Sequence, residues 1–297
     1  MAVLWQQRTI TLPPNLAMPS QVMAAVLAGA LLHAVWNALL RHGNDRTRDV
    51  VLVVAAAALL SLPALALLPL PAPSSWPWLA VSGVIHVAYF LLVAHAYRHA
   101  ELSFAYPLMR GLAPAGIALI AALLLVELPP AAGWLGVVMI CGGVLLMAGD
   151  SRRNGGLRGR ALLFPLVTAG TIMLYTVIDG QGARLAGNAF AYNGWLFVLT
   201  ALPLLLLFIA RDGRSTTAYL GQHWRRGLLG GFCTLTSYGL ALWAMTQAPI
   251  AMVAALRETS VVFGALIAAL WLGERVTRPR WIAIGLVCAG AVAIRLA

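Results

Sequence analysis

The chain has 297 residues, of which 61% are hydrophobic and 10% charged, and a net charge of +11. With a mean hydropathy of +0.87, it carries more apolar surface than a soluble domain of this length could bury. Apolar runs of about 20 residues, each able to cross a ~30 Å hydrocarbon core, recur from end to end, so the composition specifies an all-α polytopic membrane protein whose solvent is the lipid bilayer.

The positive charge is all arginine, since the sequence holds no lysine. Most of it sits in short segments between apolar runs, where it orients helices and forms no continuous patch for nucleic acid. Cys141, Cys233 and Cys288 lie inside apolar runs and have neither disulfide nor metal spacing. No cofactor motif is present: there is no Walker loop, no Gly-x-Ser-x-Gly and no His-Glu-x-x-His. A membrane enzyme is therefore disfavoured.

In chain order, residues 1–19 form a weakly apolar tail without the core of a signal peptide, and Met18 is an alternative start to Met1. Ten spans follow, at roughly 20–40, 50–70, 77–97, 103–126, 131–149, 161–179, 191–210, 227–246, 250–272 and 280–296. Residues 20–149 make a first five-helix unit, 150–160 a basic linker, and 161–297 a second unit.

An ionisable group costs about 2.5–3.5 kcal/mol at a membrane helix centre on insertion scales, so each one needs a reason. The first span places His33 and Asn37 four residues apart on one face, with Trp36 beside them. In the third, His86 shares a face with Tyr89, whereas His95 lies opposite and reads as a packing hydrogen-bonder. The fourth carries Arg110 among Pro107, Gly111 and Pro114, which predicts a kink and concentrates motion in the first half.

The sixth span aligns Thr168, Thr171, Tyr175 and Asp179 in a polar stripe. Asp179 reads either as a proton-coupling group or as a cap where that helix ends. The eighth has a Gly227/Gly231 pair suited to close packing, followed by Thr234, Tyr238 and Trp243. The ninth carries Arg257 and Glu258.

The string Ala118 to Leu123 returns as Ala265 to Leu270, and Arg110, Glu127, Trp134 and Gly143 return at the same offset as Arg257, Glu274, Trp281 and Gly290. The chain reads as a duplication. Five spans per unit make the second unit cross in the opposite sense, giving two inverted-topology repeats. Each repeat-related arginine lies about 10 Å into its helix and within about 5 Å of the midplane. Two readings stand for the pair: anion-recognising groups lining a central cavity, or staples bonded to backbone carbonyls or a neighbouring acid.

Glu258 is the first coupling candidate, because an anion drawing Arg257 away would ease its protonation. Its alternative is a permanent local ion pair with Arg257. His33, Asn37, Tyr175, Tyr238 and Trp243 complete the expected cavity wall, bounded by spans one, three, four, six, eight and nine.

The doubled five-helix unit, "LGER" at Leu272 to Arg275, "LLVELP" at Leu124 to Pro129, His33 to Asn37, and "YTVIDGQGAR" at Tyr175 to Arg184 together resemble the drug/metabolite transporter superfamily, in its ten-helix EamA branch. That resemblance implies a secondary transporter of a bacterial inner membrane, working by alternating access and exporting a small polar metabolite such as an amino acid or organic anion, with protons as the coupling ion. A flippase for a lipid-linked headgroup is the alternative reading, and a receptor or accessory subunit a minor one. The protein is expected to be a monomer or homodimer.

Members of the branch are commonly drawn with both termini in the cytoplasm. Here the odd loops hold fifteen arginines and the opposite side only Arg8, Arg184 and Arg295, which predicts periplasmic termini.

Overall fold

The computed structural model describes residues 18–41, 45–99, 102–152, 160–271 and 277–297. The "LGER" segment and most of the tail and linker lie outside the described residues. The helices are α1 (Ser20–Arg41), α2 (Arg46–Leu67), α3 (Trp76–His99), α4 (Leu102–Leu124), α5 (Ala131–Arg152) and α6 (Arg160–Leu185). They continue with α7 (Ala189–Asp212), α8 (Arg214–Gln222), α9 (Trp224–Met245), α10 (Ile250–Arg257), α11 (Ser260–Trp271) and α12 (Arg278–Leu296). Among the described residues, eight stretches are long and apolar enough to cross a membrane, and α4 and α5 add shorter apolar runs at Leu108–Leu124 and Ala131–Met147. Helices α10 and α11 share one crossing and α8 is a short connector, so the protein is an all-α polytopic membrane fold of ten crossings.

Local chemistry sets the helix starts. Asp45 Oδ1 accepts from the Thr47 and Arg48 amides at 3.1 Å each, and Asn188 caps α7 in the same way at 2.9 and 3.0 Å. Thr277 caps α12 ahead of a proline in its first turn. Leu119, Leu123, Val138 and Leu206 are exposed on the outer surface, as lipid-facing residues should be.

The packing repeats between halves. α1 packs on α9 as α3 packs on α6, while α2 meets α7 and α5 meets α12, each its own repeat mate. The α5–α12 contact makes the pseudo-dyad explicit. A Cβ built on Gly143 would lie 2.8 Å from both the Ala283 carbonyl and Val287; one on Gly290 would lie 2.8 Å from the Gly136 carbonyl and 2.7 Å from Ile140. Each partner in the second contact lies 147 positions before its counterpart in the first, the same offset as the repeated string.

Glycine also brings α9 onto α2. A Cβ on Gly231 would fall 2.7 Å from the Ala57 amide nitrogen, and one on Gly227 2.6 Å from Leu52. The sequence pair Gly227/Gly231 therefore serves close approach.

The helix break does not fall where the prolines are. α4 runs as one helix through Gly111 and Pro114, because a proline deletes one backbone bond without ending a helix that its neighbours hold in place. The broken crossing is the ninth, which has no proline near the break. Glu258 and Thr259 form a turn between α10 and α11. The Glu258, Thr259, Val261 and Val262 amides all bond three residues back, and Thr259 Oγ1 donates to the Leu256 carbonyl at 2.7 Å. Tightened i−3 bonding with a competing hydroxyl is a recognised mark of a hinge.

The sixth helix does not end at Asp179 either: α6 continues to Leu185, and Asp179 is fully buried. The glycines that suggested a terminus serve packing. A Cβ on Gly180 would meet Ile250 at 2.5 Å and one on Gly182 would meet the Tyr192 hydroxyl at 2.3 Å.

Candidate functional site

A cavity opens among α1, α3, α6, α7, α9 and α10; its empty space totals about 500 Å³ when its open mouth is counted. α3 contributes His86, Tyr89 and Phe90, and α9 contributes Thr234, Ser237 and Tyr238. α3 and α9 are the repeat-equivalent third and eighth crossings, so the facing walls belong to equivalent helices with different chemistry: three rings on the first-half side, three hydroxyls on the second-half side.

The rings form one cluster. His86 lies 4.3 Å from Tyr175 and 5.9 Å from Tyr238, and Tyr89 lies 5.3 Å from Tyr175 and 5.0 Å from Phe90, centroid to centroid. On α1, the Trp36 indole N–H donates to His33 Nδ1 at 3.1 Å. That bond fixes the His33 tautomer, with the other ring nitrogen carrying the proton when the ring is neutral. Leu196, Phe197 and Thr200 of α7 close one side.

Arg257 is the charged residue of this wall. Its guanidinium carbon lies 5.0 Å from the centroid of the Tyr238 ring, a cation–π distance. Among the described residues no carboxylate lies within ion-pair distance of it. Glu258 does not pair with Arg257, contrary to the local-pair reading. Its Oε2 accepts from Arg110 Nε at 2.9 Å, across 148 residues and between the two halves, with both side chains buried. The turn at Glu258 is what frees its side chain from the α10 face and directs it toward α4. Arg110 thus bridges the two halves, and among the described residues the fourth crossing contributes no side chain to the cavity wall.

Asp179 lies behind the wall. Its Oδ1 accepts from the Tyr192 hydroxyl at 3.0 Å, its Oδ2 accepts a short bond from the Tyr238 hydroxyl, and His86 Nε2 stands 3.9 Å from that second oxygen. His86 Nδ1 is tied to Ser82 at 3.1 Å.

His33, Tyr175, Tyr238 and Arg257 of the sequence-expected residues meet in the cavity. Asn37 and Trp243 do not line it: Asn37 donates to the His33 carbonyl at 2.7 Å, and Trp243 packs against the core. His95 is exposed, with its Nδ1 2.8 Å from the Leu91 carbonyl. The seventh crossing was missed altogether. Leu196, Phe197 and Thr200 sit in an ordinary apolar run with nothing to mark them, whereas His86 and Tyr89 of α3 stood out as a shared polar face.

The two ends of the cavity are held differently. On the side of the termini, Arg184 pairs with Glu127 and donates to the Met245 and Ala248 carbonyls, at 2.7 and 3.2 Å, while Glu127 accepts from the Ile250 amide at 3.1 Å. This knits together the ends of α6 and α9, the start of α10 and the α4–α5 connection. On the other side, Asp49 lies 3.4 Å from Arg226 and accepts from the Tyr219 hydroxyl at 2.9 Å, joining α2, α8 and α9. Burial and that bond push the Tyr219 phenol up to about 12, so it stays a donor throughout the physiological range. Along the ninth crossing, residues 250–262 are all buried, whereas 263–267 are part-exposed or exposed. The crossing is packed toward the termini and looser beyond its break.

Residues 160–296 match the sequence model described as the EamA-like transporter family. The second half is thus similar to the EamA-like transporter family. The fold of the first half repeats it through the dyad, and the whole accords with the drug/metabolite transporter superfamily that the motifs resembled. One solved crystal structure superposes on the chain with a TM-score of 0.71, covering 92% of this chain and 96% of its own at 17% identity; that likeness concerns the fold alone. No curated protein sequence matches it.

Proposed function

We propose that this EamA-like protein is a secondary active transporter of a small polar metabolite, such as an amino acid or organic anion. The observation that carries the reading is the cavity itself. Its two principal walls are repeat equivalents on α3 and α9, so one site is shared by two inverted halves, as alternating access requires. The bonded network toward the termini, and the looser packing of α11 on the other side, support a state closed toward the termini. Exchange of the two ends would then break the Arg184–Glu127 cluster and fold α11 inward about Glu258 and Thr259.

Arg257 is the substrate-anion contact in this reading, with Tyr238 and Tyr175 beside it and His33 across the cavity. Protons are the coupling ion and export the direction. Asp179 is better placed than Glu258 to report on occupancy, because Tyr238 joins it to the wall while Arg110 holds Glu258 apart. The arginine-rich loops face the cytoplasm of a bacterial inner membrane, and both termini face the periplasm.

The test is flux into liposomes containing the purified chain, with and without a pH gradient. Flux that follows the gradient, and that falls in Asp179→Asn, is the expected result. Flux indifferent to the gradient rejects proton coupling, and absence of flux for every anion and amino acid that stabilises the protein against heat rejects transport. A C-terminal phosphatase fusion active only in the cytoplasm rejects the orientation.

A further inference from the structure

Resting on the reading of this cavity as the substrate site, we infer that its ligand is a monoanion with a flat, unsaturated body, and that a zwitterion of the same skeleton is selected against. The charges decide the sign. Arg257 is buried in the wall with no carboxylate of the described residues at ion-pair distance, and a buried guanidinium of this kind is stabilised by an incoming anion. Two buried acids of this region are already engaged. Glu258 is held by Arg110, and Asp179 takes both tyrosine hydroxyls behind the cavity. An ammonium group entering with the ligand meets Arg257 and the imidazoles of His33 and His86, and no carboxylate among the described residues of the wall.

The rings decide the shape. On the first-half side His86, Tyr89 and Phe90, joined by Tyr175, present aromatic faces and edges that favour offset or edge-on contact with another ring. On the second-half side the hydroxyls of Thr234 and Ser237 flank Tyr238 and Arg257. Ser237 donates its proton to the Gly29 carbonyl at 2.7 Å, which leaves its oxygen as an acceptor. The ligand therefore lies across the dyad, its ring toward the first half and its carboxylate toward the second. Repeat equivalence gives the cavity two like walls, and the divergence of these triplets gives it a direction.

The experiment measures heat stabilisation and calorimetric binding of the full chain in detergent with four probes: 3-phenylpropionate, phenylalanine, phenethylamine and hexanoate. The inference expects 3-phenylpropionate to bind at least tenfold more tightly than each of the others. Arg257→Gln should abolish that preference over phenethylamine, and Phe90→Leu should narrow the gap to hexanoate. Phenylalanine or phenethylamine binding as tightly as 3-phenylpropionate overturns it, as does hexanoate doing so. The ranking on the unaltered protein stands even where a variant fails to fold. Liposome flux separates this inference from the transport reading: 3-phenylpropionate that binds in the expected order but is not moved sinks transport alone, whereas flux of an amine or amino acid with no binding of 3-phenylpropionate sinks the ligand class alone.

Discussion

The fourth and ninth crossings carry the same arginine at the same place in the repeat, yet the two side chains have opposite fates. Arg110 sits in an unbroken helix, bonded to an acid from the other half. Arg257 ends α10 immediately before a break and faces the cavity over a tyrosine ring. The difference traces to one position. Gly111 stands where the second copy has Glu258, and a Cβ there would lie 3.1 Å from Leu145 and 3.2 Å from Val144, so the first copy has no room for a carboxylate against α5. In the second copy the helix turns away at that position and the acid reaches across to α4. A single departure from symmetry thereby neutralises one arginine and leaves its twin available.

The strongest way to break this comparison is Glu258→Leu, which removes the buried acid that Arg110 bonds. It should cost about 3–5 kcal/mol, read by denaturant titration in mixed micelles, and Arg110→Leu in the same chain should restore most of it. A double variant showing the simple sum of the two losses would mean that the residues are not coupled. Next, Arg257→Ala should leave stability within about 1 kcal/mol but lower flux roughly ten- to hundredfold, the loss of a charge-assisted contact of about 1.5–3 kcal/mol. Wild-type flux in that variant would remove Arg257 from the site and erase the contrast with Arg110.

The α5–α12 contact supplies the symmetric control. Gly143→Ala and Gly290→Ala should each cost about 1–3 kcal/mol, with values that agree; strongly unequal losses would mean that the dyad is not shared equally. The smallest effect belongs to Gly111→Ala, where helix propensity gains about 0.5–1 kcal/mol against slight crowding by Leu145. Stability within about 1 kcal/mol of the unaltered chain is the expected reading, and a large loss would show that the position is fully closed.

Much of the fold was legible because the membrane makes its demands in one dimension. Long apolar runs declare crossings, and charges within them stand out, as Arg110, Arg257 and Asp179 did. The repeated string gave the antiparallel halves by counting alone. What escaped depended on contacts between halves. The partner of Glu258 is 148 residues away, and the choice between Arg257 and Arg110 is made by packing. Gly180 and Gly182 signalled a helix end, but their lack of side chains accommodates Ile250 and Tyr192. The prolines of α4 leave its helix unbroken, while the actual break arises at Glu258 and Thr259, residues that carry no obvious helix-breaking character.

The glycine contact between α5 and α12 has a consequence for how such a chain can be assembled. Gly143 and Gly290 occupy equivalent places, and each seats against the other half's copy of one short surface, Ala283 and Val287 in one case and Gly136 and Ile140 in the other. Since both glycines are alike, either surface would accept a second copy of its own half, inserted upside down. The groove is self-complementary under inversion. Cutting the chain within residues 153–159 should accordingly yield two five-helix polypeptides that find each other in the membrane without a tether, and a half expressed alone should pair with itself in dual topology.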